Sequence, residues 1–144
     1  MNQRSIREVI SQRSVVSVTP QESVRVAAQL MCSQHVGALP VVDGGRLVGI
    51  FTERDALCRV LAHCLDPSAT LVGDVMTRRP QTIDPERPLA YALIRMYEGG
   101  FRHLPVLDGG RLLGVVSARD ALGPELMQVR VQMEEMECIA AHMR

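Results

Sequence analysis

The sequence predicts an α+β protein built from two consecutive copies of one β-α-β-β-α unit, followed by a C-terminal helix. Three observations carry this. Residues 39–57 (LPVVDGGRLVGIFTERDAL) and 104–122 (LPVLDGGRLLGVVSARDAL) align at a constant offset of 65, with 13 of 19 positions identical. Both copies place Asp-Gly-Gly between two apolar runs, the signature of a hairpin whose turn needs positive φ. In both, the second run leads into a Thr/Ser-x-x-Asp box, a helix start. The match extends upstream: Thr19-Pro20 aligns with Asp84-Pro85, Met31 with Met96, and, after a one-residue shift, Glu8-Val9 with Asp74-Val75. A unit this short buries too little surface to be secure alone, so the halves are expected to share a core.

The elements follow in order. Ser5-x-x-Glu8 is a capping box that opens a short helix with Ile6, Val9 and Ile10 on its inner face. Residues 15–18 and 81–83 are β-branched runs, read as strands. Thr19-Pro20-Gln21-Glu22 reads as a box with Pro at the first helical position, starting a helix to about Ser33. Asp84-Pro85 starts its counterpart, which ends at Gly99-Gly100. The hairpins span 39–51 and 104–116, and helices follow over 53–64 and 118–122. Gly123-Pro124 is read as the end of the second copy. The division is 1–68 for the first unit with its N-terminal helix, 69–123 for the second, and 124–144 for a helical extension.

Composition bounds the function. Lys plus Arg and Asp plus Glu are both 16, so the formal net charge is zero. A nucleic-acid binder relies on excess positive charge, so none is expected. Aromatic residues are only 3%, with no Trp, which predicts an aliphatic core and no base-stacking platform. No run is apolar enough for a membrane span, and the N-terminus lacks the apolar stretch of a signal peptide. The expected setting is cytoplasmic, without membrane contact. Cys32, Cys58, Cys64 and Cys138 lie in helix-like patterns without framework spacing and are expected as reduced, buried thiols. Cys58, His63 and Cys64 have the wrong spacing for a closed zinc site, so no metal is expected. No P-loop, G-x-G-x-x-G, G-x-S-x-G or H-E-x-x-H motif occurs.

The repeated unit resembles the cystathionine-β-synthase-type (CBS) domain, here as a tandem pair. The residues that carry the resemblance are Gly37-Ala38-Leu39-Pro40-Val41-Val42-Asp43 with Gly49-Ile50-Phe51-Thr52-Glu53-Arg54-Asp55. In the second copy they are Phe101-Arg102-His103-Leu104-Pro105-Val106-Leu107-Asp108 with Gly114-Val115-Val116-Ser117-Ala118-Arg119-Asp120. Asp74-Val75-Met76-Thr77 is similar to the segment that opens a second CBS unit. The resemblance covers about residues 5–123. It implies two units related by a pseudo-twofold axis, with two clefts between them that bind adenine nucleotides. It also implies a sensor rather than an enzyme, and association into disc-like homodimers.

Thr52-x-x-Asp55 and Ser117-x-x-Asp120 are the central candidates. As capping boxes, their hydroxyls satisfy orphan N–H groups and the carboxylates favour the helix N-termini. A carboxylate placed there also accepts hydrogen bonds from vicinal ribose hydroxyls, and the two roles are compatible. Thr52, Asp55, Ser117 and Asp120 are thus the ribose candidates. Arg102 and His103 replace the small pair Gly37-Ala38 of the first copy. They are phosphate candidates for the ligand anchored at Asp55, because a guanidinium fork matches phosphate oxygens. The alternative is a surface Arg beside a half-buried His. The cleft anchored at Asp120 is expected to carry less charge. Arg54 and Arg119 are further phosphate candidates, or solvated residues. Arg78-Arg79 is a weaker basic pair for one cleft. Val16, Ser17, Ala38 and Pro40 in one cleft, and Gln81, Thr82, His103 and Pro105 in the other, are candidates to line adenine.

Leu126, Val129, Met133, Met136, Ala140 and Met143 follow 3-4-3-4-3 spacing, an a/d seam. Either the helix dimerises or it lies on its own module. The reading is a module that binds AMP, ADP, ATP, NAD or S-adenosylmethionine as ligand, with no catalytic cofactor, and signals to a separate effector protein. The alternative is a structural dimerisation module; a small enzyme is disfavoured, and a redox or metal sensor would need Cys32, Cys58 or Cys64 exposed with a lowered pKa.

Overall fold

Ser5 caps the first helix, α1 (Ile6–Ile10), in a closed box: its hydroxyl accepts from Glu8 N–H, and the Glu8 carboxylate accepts from Ser5 N–H. The computed structural model describes residues 4–143, apart from the side chains of residues 124–126, 128 and 129. From α1 the chain runs through α2 (Val24–Gln34), the hairpin β1 (Ala38–Asp43) and β2 (Arg46–Thr52), and α3 (Glu53–Asp55). A π turn (Ala56–Val60) and a 3-10 turn (Leu61–His63) extend α3. Then come α4 (Val72–Val75), β3 (Thr77–Arg78), α5 (Leu89–Gly99) and the hairpin β4 (His103–Asp108) and β5 (Arg111–Ser117). A 3-10 turn (Ala118–Ala121) leads into α6 (Leu122–His142).

The repeat is visible in the backbone. Both hairpins turn on two glycines at positive φ, Gly44-Gly45 (56° and 77°) and Gly109-Gly110 (56° and 85°). That is the geometry a two-residue hairpin turn with right-handed strand twist requires. Both carry a register shift at the same place, Val41/Val42 and Val106/Leu107. Glu53 N–H donates to Gly37 O, and Ala118 N–H donates to Arg102 O, equivalent positions in the two copies.

The runs at 15–18 and 81–83 are not strands. Only Val18 and Ile83 bridge, parallel to Val41 and Val106. Val18 N–H donates to Pro40 O and Val18 O accepts from Val42 N–H, and Ile83 repeats this with Pro105 and Leu107. One residue of each run reaches the sheet, and residues 13–16 run along a cleft mouth.

The second and fifth helices start later than the boxes suggest. The Glu22 carboxylate does accept Thr19 N–H at 2.8 Å. Yet Val24 N–H then goes to Thr70 O, while Glu22 O takes Val72 N–H. Tertiary pairing claims these backbone groups, so Ser23 becomes the N-cap of α2. In the second copy Leu89 N–H goes to Arg4 O, and Pro88 stands at the N-cap of α5. The predicted end of that helix holds: Gly100 closes it at φ 70°.

Packing departs from chain order. Ile6 and Ile10 of α1 lie in the second unit's core with Ile83, Leu89, Ala92, Met96, Leu104, Val106 and Val116. Val72 and Val75 of α4, and Met76, lie in the first unit's core with Val24, Ala27, Leu39, Val41 and Phe51. Each short helix precedes one unit and packs on the other. Arg7 reinforces the exchange through ion pairs with Glu86 and, at 2.9 Å, Asp108. β3 likewise pairs with β2, giving the sheet order β1-β2-β3, whereas the second sheet is β4-β5.

Gly123-Pro124 is not a break in the helix that follows the second copy. α6 runs through it, because Pro in the first helical turn gives up an N–H that has no intrahelical partner. Along α6 the described side chains of Met127 and residues 130–143 are all exposed, with Met136 at 71% and Met143 at 83%. Over these described side chains the helix does not lie on its own module. Leu126 and Val129 of the proposed seam lie outside the described side chains.

The four thiols are exposed rather than buried. Cys32 is on the outer face of α2, Cys58 lies on the rim of a cleft, Cys64 occupies a left-handed cap at φ 55°, and Cys138 is on α6. Helical periodicity placed them among apolar neighbours, but the buried stripes are carried by Val24, Ala27 and Met31 and by Val60.

Candidate functional site

Two clefts of similar size lie between the units, about 700 Å³ and 680 Å³. Each draws its carboxylate from one unit and its facing wall from the other. The first joins Ser117, Arg119 and Asp120 to Val16, Ala38 and Pro40. The second joins Thr52, Arg54 and Asp55 to Gln81, Arg102 and His103. Ser17, Thr82 and Pro105 line neither cleft. Ser17 alternates outward beside the half-buried Val16, and Pro105 is fully buried under the Ile83 bridge.

Asp55 is nearly buried, at 6% exposure, and its bonds are fully specified. Oδ2 accepts from Thr52 N–H and Thr52 Oγ1, both at 3.1 Å. Thr52 Oγ1 in turn accepts from Asp55 N–H at 3.1 Å. Oδ1 accepts from Thr77 Oγ1 at 3.1 Å and stands 3.7 Å from Arg59 Nε. The capping role is therefore present as drawn from the sequence. Thr77 and Arg59 were not among the candidates. Thr77 is brought in by the β2–β3 pairing, and Arg59 by its place one turn after Asp55.

Asp120 repeats half of this. Oδ2 accepts from Ser117 N–H at 2.7 Å and Ser117 Oγ at 3.4 Å. The other partner differs: the Arg13 guanidinium forks across both carboxylate oxygens. The Asp120 side chain is 7% exposed, and that of Arg13 is 47% exposed. The hydrogen bond to Asp120 raises the Arg13 pKa above its ordinary value, so the guanidinium stays charged. Arg4 adds a bond to the Asp120 carbonyl at 3.2 Å. Both arginines come from the N-terminal segment, whose packing on the second unit sequence periodicity does not reveal.

The expected charge difference between the clefts is absent. The Asp120 cleft is lined by Arg4, Arg13 and Arg119 against Asp120. The Asp55 cleft is lined by Arg54, Arg59, Arg79 and Arg102 against Glu53 and Asp55. Each carries a net charge of +2 with neutral histidines, counted over its lining residues as three minus one and four minus two. The Gly37-Ala38 pair is indeed small and neutral, but Arg4 and Arg13 make up the difference. Arg78 turns away and donates to Gly73 O, while its neighbour Arg79, at φ 47°, faces the Asp55 cleft. Arg54 is not simply solvated: its guanidinium donates to Gly100 O, the carbonyl at the end of α5, across the two units.

His103 lines both clefts. Burial pushes its pKa below the ordinary value, and Arg102 adds to this while Glu53 and Asp120 oppose it. A neutral imidazole there offers one donor and one acceptor. Among the described residues no group of three or more His, Cys, Asp or Glu side chains could hold a metal ion. No described helix is long and apolar enough to cross a membrane.

Comparison with known proteins agrees with this geometry. The CBS domain family model matches residues 6–62 and 72–123. The CBS domain-containing protein YhcV of Bacillus subtilis is 36% identical over 106 residues, covering 74% of this chain and 75% of YhcV. A CBS domain-containing protein of Arabidopsis thaliana, CBSCBSPB1, is 42% identical over 94 residues, or 65% of this chain. The match spans only 17% of that larger relative. Among solved structures, a CBS domain protein from Pyrobaculum aerophilum complexed with AMP superposes with a TM-score of 0.77 at 25% identity. That match covers 90% of this chain and 99% of the other. Repeat, reciprocal clefts and relatives converge, and the chain belongs to the CBS domain family, with one domain in each half.

Proposed function

We propose that this chain is a regulatory module that binds adenosine-containing nucleotides, AMP, ADP, ATP or NAD, in its two clefts and signals to a separate protein partner without catalysing a reaction. One observation carries the reading. Each cleft sets a helix-start carboxylate of one unit against a basic wall of the other, in a volume suited to a small molecule. In the Asp55 cleft, the Asp55 carboxylate accepts the ribose hydroxyls while Arg102 and His103 face the phosphate. In the Asp120 cleft, Val16, Ala38 and Pro40 form the apolar wall for adenine, and Arg119 is the phosphate candidate. The AMP-bound relative supports this ligand chemistry.

A ligand that touches both units favours one angle between them, which is how binding becomes a signal. The Arg54–Gly100 bond spans the units at that point and is sensitive to the angle. Both carboxylates are committed to capping bonds, which suits acceptors rather than general acids or bases. Four exposed thiols fit a reducing, cytoplasmic setting. The exposed Met133, Met136 and Met143 seam of α6 favours pairing with a second copy. It also supports the alternative reading, a structural dimerisation module without a nucleotide.

Thermal unfolding against a panel of adenine nucleotides, with GMP as control, separates the two. Ligand at 100 times Kd stabilises by about 2.7 kcal/mol per site, a shift of about 5–15 °C at this size. Asp55→Ala and Asp120→Ala should each remove binding in one cleft. No shift with any adenine compound, in protein shown by mass spectrometry to carry none, leaves the structural module. Unchanged affinity in both variants overturns the site assignment.

A further inference from the structure

The two ribose candidates differ in one respect that their repeat relationship does not anticipate. The outer oxygen of Asp55 accepts a neutral hydroxyl, that of Thr77, and Arg59 stays 3.7 Å away. Both oxygens of Asp120 are taken by one guanidinium, that of Arg13. A carboxylate held in a two-pronged charged bond is a poor acceptor for ribose hydroxyls, which offer no charge in exchange. Arg13 itself lies in the segment without regular structure that crosses the mouth of this cleft, and its side chain is half-exposed. It is free to turn from Asp120 to another anion in the same space.

We propose that Arg13 is a specificity-determining residue of the Asp120 cleft, a cationic latch on the ribose-binding carboxylate that opens to ligands bringing a phosphate of their own. This rests on the reading of the clefts as nucleotide sites and deepens it. A nucleoside must break the Arg13–Asp120 pair and leave the guanidinium without an anion. A nucleoside phosphate breaks the same pair but supplies the replacement, so the charged fork is conserved while Asp120 is released to the hydroxyls. The cleft therefore selects phosphorylated over unphosphorylated adenosine at its ribose anchor. The Asp55 cleft has no such two-pronged fork, so its preference rests on the cations along its wall, Arg54, Arg59, Arg79 and Arg102, with His103.

Isothermal titration of the full chain with adenosine and with AMP tests this, on the Asp55→Ala background so that only the Asp120 cleft is read. Arg13→Ala should tighten adenosine binding at least about tenfold, equivalent to 1.4 kcal/mol. It should leave AMP binding equal or weaker, so the AMP-to-adenosine preference collapses. Arg13→Gln, which keeps a polar side chain without the charge, should do the same and covers the case in which Arg13→Ala folds poorly. Arg13→Lys should retain most of the preference. If AMP binds in an Asp120-dependent way but adenosine affinity is unchanged or weaker in both Arg13→Ala and Arg13→Gln, the latch is wrong while the nucleotide site stands. If the unmutated chain binds no adenine compound in either cleft, the nucleotide reading itself fails, and the latch with it.

Discussion

Gly37 faces His103 where the two clefts meet: a methyl group on Gly37 would stand 3.3 Å from His103 Nε2 and 3.0 Å from Glu53 Oε1. The two belong to equivalent stretches of the repeat, in which Gly37 aligns with Arg102 and Ala38 with His103, and the ring fills the space beside Gly37. The ring is packed by both units and lines both clefts.

This gives His103 a defined pH behaviour. Burial holds its folded pKa below the ordinary value of 6.5, so the native imidazole stays neutral where the unfolded one is already protonated. The unfolded chain then binds more protons, and stability falls as pH falls through 6.5, levelling off only below the folded pKa. Denaturation between pH 7.5 and 5 should show this slope in the native chain. It should be reduced in His103→Gln; an unchanged slope overturns the assignment to His103.

Ile6→Ala should cost about 2–5 kcal/mol, since a fully buried side chain is truncated to a cavity. The location is the sharper test. Ile6 lies in the second unit's core, so amide exchange should accelerate most in β4 and β5, not in β1 and β2.

Gly49→Ala should destabilise by about 1–3 kcal/mol through overpacking. Its added methyl would meet Met76 Sδ at 2.5 Å and the Thr77 carbonyl at 2.9 Å, and the carbonyl belongs to the strand paired with Gly49. Chemical denaturation of Gly49→Ala beside the native chain should show this loss, and unchanged stability would overturn the close approach of β3 at Gly49.

Met136→Glu should convert a dimer to a monomer in sedimentation velocity while shifting stability by less than about 0.5 kcal/mol, because the side chain is 71% exposed. A native chain that sediments as a monomer at all concentrations overturns the pairing of α6.

Much of the fold was legible because its strongest signals are local. Asp43-Gly44-Gly45 and Asp108-Gly109-Gly110 can only turn one way, and Thr52-x-x-Asp55 and Ser117-x-x-Asp120 close boxes within four residues. Thr19-Pro20 failed as a helix start for the opposite reason. Half of its local box forms, with the Glu22 carboxylate accepting Thr19 N–H, but the backbone beyond it pairs with residues 70–72, a partner that periodicity cannot name. The clefts divide in the same way. Asp55, Asp120, Arg102 and His103 could be picked out from motif and repeat. Arg59, four residues after Asp55, stood at a spacing the sequence offered; Thr77, Arg4 and Arg13 could not be picked out, since only tertiary pairing brings them to the carboxylate turns.

By itself the sequence determined the duplication, the hairpins, the capping carboxylates and the family they indicate, because these depend on turn chemistry and spacing within about a dozen residues. Only the tertiary structure decided that α1 packs on the second unit and α4 on the first. That exchange carries Arg13 to Asp120 and Thr77 to Asp55, and so makes two near-identical motifs into different sites. The reason is physical: each short helix must bury its apolar face, and the core that accepts it belongs to the other half of the chain.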